Sequence, residues 1–226
     1  MLILIGDTRS TCNLAVLQER RWGRMCVQKN PAPYLFEPWG FDNRAFKAWQ
    51  DAGFPGGLTQ DDWCILWDSS DFEAWLETCR KVPMPPKIAV VPDIPASAES
   101  LAWSVMWRQT LPNDWPWYLA LQDGMRMGDV MDVAHLFDGF FLGGSDKFKL
   151  TAQMWCDAAH FAGKKFHYGR AGTRTKLHHA HAVGADSLDS SYPLWTKHRF
   201  WQFGQWVDGL GLQESFEFTA LRELSI

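Results

Sequence analysis

The sequence predicts a compact (β/α)8 TIM barrel, an α/β fold built as a single domain over residues 1–226. Short apolar runs alternate with amphipathic stretches, which is typical of βα units around a parallel sheet. The runs are continuously apolar, as expected for strands buried on both faces. Eight such runs occur, and eight parallel strands close a barrel. The 226 residues leave about 28 for each unit, near the lower limit for this fold, and an open doubly wound sheet is the alternative.

Each predicted strand is a short apolar run that ends at a turn residue or a charged residue. Leu2–Ile5 ends at Gly6 and Asp7, for example, and Phe137–Leu142 ends at Gly143 and Gly144. Gly and Asp are frequent at such points because their backbones accept turn geometry. The eight predicted strands are Leu2–Ile5, Tyr34–Phe36, Cys64–Trp67, Ile88–Val91, Trp117–Leu121, Phe137–Leu142, Lys165–Tyr168 and Ala185–Leu188.

Amphipathic stretches with helical spacing lie between the strands. Ser97 is a predicted helix cap, Thr151 is another, and Gly163 and Gly184 follow the ends of two stretches. Their apolar residues recur three or four positions apart, so one face of each helix can pack on the sheet. The predicted helices are Asn43–Asp51, Asp71–Arg80, Ser97–Thr110, Thr151–Ala162, Thr173–Val183 and Trp195–Val207.

Composition excludes several classes of protein. With 46% apolar, 15% aromatic and 21% charged residues, the chain can form a core and is not disordered. It has no apolar run of membrane-spanning length and no leader-like start, so a cytoplasmic protein that does not associate with membranes is expected. The five cysteines are scattered without a C-x-x-C pair, which argues against a cysteine-rich zinc site and for free thiols. No metal and no cofactor is expected.

Polar residues follow the predicted strands at the end where barrel enzymes carry their chemistry. Several carboxylates with one amide suggest an active site, because charged groups seldom follow a buried strand without a partner. The alternative for any single Asp is a helix cap or an Asx turn. The strand-end residues are Asp7, Asp42, Asp68, Asp93, Gln122, Asp123, Gly143, Gly144, His167, Arg170, Asp186 and Asp189.

Two further patterns have a functional and an ordinary interpretation. Gly143–Gly144 could expose backbone N–H groups to a phosphate or to the edge of a flat heterocycle, or could form a plain turn. The spacing of His179 and His181 could suggest a metal pair, but residues i and i+2 of a helix point apart, which favours a solvated helix face.

Charge is distributed unevenly along the chain. Residues 164–200 contain seven Lys or Arg and two Asp, a local charge of +5 in a chain whose net charge is −4. A basic face on an acidic protein suits a polyanion that docks at one edge, and a Lys- and Arg-rich surface helix is the alternative.

Six segments carry a resemblance to a known family. Each segment alone is unspecific, but their order and their positions at successive strand ends are similar to those of the tRNA-guanine transglycosylase superfamily. The chain most closely resembles the DpdA-type enzymes of phages and bacteria, which insert 7-deazaguanine bases into DNA. The segments are residues 39–46 (WGFDNRAF), 91–93 (VPD), 121–124 (LQDG), 140–145 (FFLGGS), 167–170 (HYGR) and 184–189 (GADSLD).

The resemblance implies a glycosyltransferase that exchanges a base, and it assigns roles to the strand-end residues. Asp189 matches the nucleophile that attacks the sugar, and Asp42 matches the general acid/base. Asp93 and Gln122 match residues that hydrogen-bond the base, and Gly143 with Gly144 matches the glycines that line its pocket.

Other residues are implied to contact the nucleic acid or stay as candidates. His167 and Arg170 belong to the H-x-G-R segment of the DNA-type branch, and the neighbouring Arg174 and Lys176 are expected to contact the backbone. Asp7 and Asp186 are further acidic candidates.

The chain departs from the tRNA enzymes in one respect. It has no C-x-C-x-x-C…His zinc motif, which favours DNA over tRNA as the substrate. The resemblance implies as partners DNA and a free 7-deazaguanine base such as a preQ0 or preQ1 derivative, with a homo-oligomer or a partner protein left open. A phage-encoded member would act in the host cytoplasm. The alternatives are a metal-dependent or phosphosugar barrel enzyme and a nucleic-acid-binding barrel without catalysis.

Overall fold

The computed structural model describes residues 1–27 and 38–223, with side chains up to residue 211. Its strands form a closed parallel barrel in chain order, which confirms the predicted (β/α)8 fold and excludes the open sheet. The strands are β1 (Leu2–Gly6), β2 (Gly23–Cys26), β3 (Trp39–Phe41), β4 (Ile88–Val90), β5 (Trp117–Leu121), β6 (Gly139–Leu142), β7 (Lys165–Tyr168) and β8 (Ser187–Ser190).

Helices surround the barrel. No helix in the described ranges is long and apolar enough to cross a membrane. The helices are α1 (Thr11–Arg20), α2 (Ala45–Asp51), α3 (Gln60–Leu66), α4 (Ser69–Arg80), α5 (Ser100–Arg108), α6 (Met127–Val133), α7 (Ala152–Phe161), α8 (Arg174–Ala182) and α9 (Lys197–Glu223).

The predicted strand Cys64–Trp67 is wrong. This segment is the end of α3, which begins with a capping box between Thr59 and Asp62. Trp63 is buried while Ile65 is 84% exposed, so the short apolar run is one face of a helical turn. Asp68 consequently caps α4 by accepting from the Ser70 and Asp71 N–H groups and lies at no strand end.

Two strands at the start of the barrel differ from the prediction. The predicted strand Tyr34–Phe36 lies outside the described residues, and β3 follows it at Trp39–Phe41. β2 was missed because its sequence, GRMC, contains Gly23 and Arg24 and does not form an apolar run. The predicted helices are present with ends shifted by a few residues, except that α9 continues past Gly209 to Glu223.

The core has two layers. Six apolar side chains fill the barrel interior, and a larger tryptophan-rich layer lies between the strands and the helices. Leu4 belongs to the inner cluster and pairs with Asp189 of β8, so the Asp189 side chain also points into the barrel. The inner cluster is Leu4, Met25, Ile88, Val90, Tyr118 and Ala120.

Candidate active site

A cavity of about 350 Å³ opens at the carboxyl ends of the strands. Polar residues line its floor and aromatic side chains line its walls. Both carboxylates predicted to be catalytic, Asp42 after β3 and Asp189 in β8, line this one cavity. The lining further includes Asp7, Asn43, Phe46, Trp49, Asp93, Gln122, Phe141, Gly143, Gly144 and Arg170.

The two oxygens of Asp189 have different surroundings. Oδ1 accepts hydrogen bonds from His167 Nε2 and from the Arg170 backbone N–H, both at 3.0 Å. Oδ2 accepts none from the described residues. Burial alone would raise the pKa of Asp189, but the hydrogen bonds from His167 and from the Arg170 backbone N–H hold it below its ordinary value. Asp189 is therefore an ionised carboxylate with one unoccupied oxygen in the cavity.

In Asp42, by contrast, the effects that raise the pKa exceed those that lower it. Its Oδ1 accepts only the Arg44 backbone N–H, at 2.6 Å. Burial is the main reason that the pKa of Asp42 is raised to about 7, and repulsion from Asp189 and Asp93 adds to it. A carboxyl group with this pKa exchanges its proton near neutral pH, which suits a general acid/base.

Asp93 and Gln122 form a hydrogen-bonded floor. Asp93 Oδ1 accepts from Asn43 Nδ2 at 2.6 Å and Oδ2 accepts from Gln122 Nε2 at 2.5 Å. Burial raises the pKa of Asp93 to about 6, although both amides lower it. Because the Gln122 Oε1 accepts from the Ala96 and Gly144 N–H groups, its amide orientation is fixed, and one N–H of Nε2 is left for a ligand.

The two glycines make room for this floor and do not form a phosphate cradle. The Gly143 N–H donates to the Leu121 and Phe141 carbonyls, and the Gly144 N–H donates to Gln122. A Cβ on Gly143 would lie 2.6 Å from Gln122 Nε2, and Gly144 has a φ of +63°. Glycine is required here so that Gln122 can reach Asp93.

Two residues predicted to contact nucleic acid are engaged inside the protein: Arg170 lines the cavity, and His167 is buried behind it. His167 is 0% exposed and hydrogen-bonds Asp189, so its assignment as a backbone contact is wrong. The Arg170 guanidinium stacks on Phe46 at 4.3 Å and donates to the Gly144 carbonyl, which also leaves it inside the site. Arg174 and Lys176 lie on α8, where Lys176 pairs with Asp146 at 2.7 Å.

Of the two additional acidic candidates, Asp7 lines the cavity and Asp186 does not. Asp186 precedes β8 at the amino end of the barrel, where Lys165, His160 and the Phe166 N–H bind it, so its placement at a carboxyl end is wrong. Asp7 follows β1 at the cavity rim, and its side chain is paired with buried Arg24 at 3.4 Å. Burial raises the pKa of Asp7.

Three supporting residues were missed in the sequence. Asn43 binds Asp93, and the hydroxyl of Ser187 contacts His167 Nδ1 at 2.9 Å. Buried Lys149 donates to the Leu142 and Gly169 carbonyls and thereby ties the ends of β6 and β7 together. Ser187 could have been found, since it precedes Asp189 by two residues and therefore shares its face of β8. Nothing in the sequence around Lys149 marks it.

The residues that a metal-dependent or phosphosugar enzyme would use have other partners here. No group of three or more His, Cys, Asp or Glu in the described part of the chain has the arrangement of a metal site. Both ring nitrogens of His167, the histidine that contacts Asp189, are engaged by Ser187 and Asp189. The glycine amides that a phosphosugar would need are also occupied.

No protein-family model matches the chain, and no curated protein is significantly similar to it. The resemblance to the transglycosylases therefore rests on the quoted segments alone.

The raised pKa of Asp42 has a consequence for stability. A carboxyl with a pKa of about 7 in the folded state and 3.8 in the unfolded state makes stability fall as pH rises between those values. Asp42→Asn removes the buried charge and keeps an oxygen for the Arg44 N–H. Urea unfolding should show that the advantage of this variant over wild type grows by about 2–3 kcal/mol from pH 5 to pH 8.

Asp129→Asn is the control, because Asp129 lies exposed on α6 outside the cavity. Its difference from wild type should be the same at both pH values. Equal pH responses of Asp42→Asn and wild type would contradict the raised pKa.

Proposed function

We propose that this protein is a transglycosylase that replaces guanine in nucleic acid, DNA before tRNA, by a 7-deazaguanine base such as a preQ0 or preQ1 derivative. The observation that carries the proposal is the pairing of two unlike carboxylates in one cavity. Asp189 stays ionised with Oδ2 unoccupied, whereas the Asp42 pKa lies at about 7. Two carboxyl groups in different environments suit a nucleophile and an acid/base that act in one reaction.

In the first half-reaction, Asp189 Oδ2 attacks C1′ of the target nucleotide. The new C–O bond forms as the C1′–N9 bond breaks, and the bonding pair leaves with the guanine. Protonated Asp42 gives its proton to the departing base, so the base leaves neutral and Asp42 becomes a carboxylate. The sugar stays attached to Asp189 as an ester, and the adjacent anion stabilises the oxocarbenium-like transition state.

The second half-reaction reverses these steps with another base. The Asp42 carboxylate takes the N9 proton of the incoming base, whose N9 then attacks C1′. The C1′–O bond to Asp189 breaks, and the electron pair returns to its carboxylate. The enzyme ends with Asp42 protonated and Asp189 ionised, as it began, so no cofactor is consumed.

The floor of the cavity fits the edge of a guanine-like base. Such a base presents N–H donors beside one carbonyl acceptor, and the Asp93 carboxylate can accept from those donors. The remaining Gln122 N–H can donate to the carbonyl, while Phe46 and Phe141 offer flat apolar contact at the walls. A base bound in this way has left its helical stack, which costs a few kcal/mol.

A basic and aromatic rim beside the cavity supports a nucleic-acid substrate. Arg199 stacks on Trp195 at 4.5 Å and on Tyr192 at 5.1 Å, and Trp195 is 63% exposed. These residues follow β8, as do Ser191 and Leu194 of the cavity lining. Exposed aromatic rings next to cations are suited to stacked bases and phosphates. Lys165, by contrast, pairs with Asp186 at the other end of the barrel.

A catalytically inactive nucleic-acid-binding barrel is the second candidate. The exposed rim would serve it equally well, but the two unlike carboxylates would then have no role. Turnover separates the two candidates, because a binding protein has affinity without base exchange.

Asp189→Asn should keep the fold and abolish base exchange. The asparagine Oδ1 can still accept from His167 and Arg170, but the amide is not a nucleophile. Incorporation of labelled guanine into DNA oligonucleotides and into tRNA measures this effect. The variant and wild-type proteins should have the same melting temperature, which shows that the fold is kept. Asp129→Asn should retain wild-type exchange. Base exchange that persists in Asp189→Asn would contradict the assignment of Asp189 as the nucleophile. If the wild-type protein binds DNA or tRNA but exchanges no base, the inactive nucleic-acid-binding barrel is favoured.

Asp93→Ala should weaken binding of the free base by about tenfold or more, since the variant has no carboxylate to accept the base's hydrogen bonds. Binding of an oligonucleotide should change little, because the rim is untouched. Calorimetry with 7-deazaguanine and fluorescence anisotropy with DNA measure the two affinities separately. An equal loss of both affinities would contradict the assignment of Asp93 to base recognition.

Lys197, exposed at the start of α9, lies two residues before Arg199 of the rim. The double variant Lys197→Ala, Arg199→Ala should bind DNA more weakly and with less salt dependence. The slope of log affinity against log salt should fall by about one for each phosphate that the protein no longer neutralises. Lys87→Ala is the matched control, since Lys87 is exposed at the start of β4, at the opposite end of the barrel. Equal slopes for the double variant and Lys87→Ala would place the DNA elsewhere.

A further inference from the structure

Asp189 is the last member of a buried hydrogen-bonded chain. The Ser187 hydroxyl lies 2.9 Å from His167 Nδ1, and His167 Nε2 lies 3.0 Å from Asp189 Oδ1. Ser187 is 3% exposed and His167 is fully buried. Ser187 and His167 are therefore shielded from solvent, and the chain reaches the cavity only at Asp189, whose side chain is 15% exposed.

Strand geometry brings the three residues together. Ser187 and Asp189 lie two positions apart on β8, so their side chains share the inner face. The sheet register pairs His167 of β7 with Ser187 on one side and with Phe141 of β6 on the other. The Phe141 ring stacks on the imidazole at 4.6 Å and 17°, which holds the plane of the His167 ring.

The partners of His167 determine which nitrogen carries the proton. An ionised carboxylate only accepts hydrogen bonds, so Nε2 must donate to Asp189. In the uncharged ring, Nδ1 then accepts, and the Ser187 hydroxyl donates to it. Because a serine hydroxyl can also accept, the Asp189 carboxylate fixes this tautomer, and Ser187 supplies the hydrogen bond that Nδ1 needs in the buried ring.

The order serine, histidine, aspartate does not make this chain a serine nucleophile. Ser187 is buried and is not among the residues that line the cavity, so a substrate bound there would not reach it. Asp189 is the member that lines the cavity, and its Oδ2 is the unoccupied atom.

We infer that Ser187 and His167 are positioning residues, which hold Asp189 Oδ1 so that Oδ2 faces the sugar. The chemical meaning of this inference rests on the proposed function, although the hydrogen-bonded chain can be tested without it. Other charged groups also act on Asp189. Asp42 repels it across the cavity, and protonated Lys149, whose own pKa burial lowers, attracts it, while the Arg170 backbone N–H donates a hydrogen bond to it.

The test measures the titration of Asp189 directly. In protein labelled with ¹³C at aspartate side chains, the Asp189 signal is identified by its absence in Asp189→Asn. Wild-type Asp189 should stay ionised to below its ordinary pKa of 3.8. In His167→Leu the midpoint should rise by about one pH unit or more, and in Ser187→Ala it should rise by a smaller amount. In His167→Gln, whose amide can donate to Asp189 Oδ1, the midpoint should fall part of the way back to the wild-type value.

Kinetics provide the second readout. Single-turnover base exchange should slow by about tenfold or more in His167→Leu, with KM for the oligonucleotide nearly unchanged, because an orienting hydrogen bond acts on the reacting atom. Ser190→Ala is the matched control. It removes another buried hydroxyl of β8, one that contacts the Tyr192 N–H and not His167. This variant should behave as wild type in both measurements.

The outcomes separate the two proposals. If wild type exchanges bases and the Asp189 midpoint is unmoved in both Ser187→Ala and His167→Leu, the positioning role is overturned and the transglycosylase stands. If the midpoints shift but wild type exchanges no base, the positioning role stands and the proposed function fails. If His167→Leu does not fold, Ser187→Ala decides, since it removes only one hydroxyl oxygen.

Discussion

Three of the carboxylates that line the cavity repel one another, so they cannot all ionise at equal cost. Asp189, Asp42 and Asp93 line the same space at the carboxyl ends of the strands. Hydrogen bonds decide which of them carries charge. Asp189 receives two donors on one oxygen, so its pKa falls despite burial, whereas Asp42 has a single backbone donor and a pKa of about 7. This separation of properties supports the proposed division of roles in catalysis.

The barrel maintains that separation through contacts behind the cavity. Lys149 ties the carboxyl ends of β6 and β7 together, and β7 is the strand that carries His167. Gly143 leaves the space through which Gln122 reaches Asp93, and the Asn43 amide holds the other Asp93 oxygen. Because each of these groups is buried and hydrogen-bonded, a change at one of them leaves a partner unsatisfied, at a cost of about 1–3 kcal/mol.

The fold and the central carboxylates could be predicted from the sequence, for a physical reason. Parallel strands end on one face of a barrel, so Asp42, Asp93, Gln122 and Asp189 had to meet once their strands were placed. The roles of nucleophile, acid/base and base-binding residues came from a family resemblance and remain proposals.

The sequence-based predictions were wrong where the structure of a segment depends on contacts that its local composition does not reveal. Cys64–Trp67 has the composition of a strand, but a capping box and one buried face make it a helix. Asp186 lies before its strand, because β8 begins at Ser187. His167 is polar, yet it is buried as a partner of Asp189, and the contact of Ser187 with it depends on register across two strands.

The covalent intermediate at Asp189 is the central claim, and its direct detection is the most decisive measurement. The protein would be incubated with an oligonucleotide, denatured at low pH and digested, and its peptides would be analysed by mass spectrometry. The account predicts an adduct of a sugar-phosphate chain that has lost its guanine, located on the peptide that contains Asp189. Release of guanine with no adduct, or an adduct on a different residue, would contradict it.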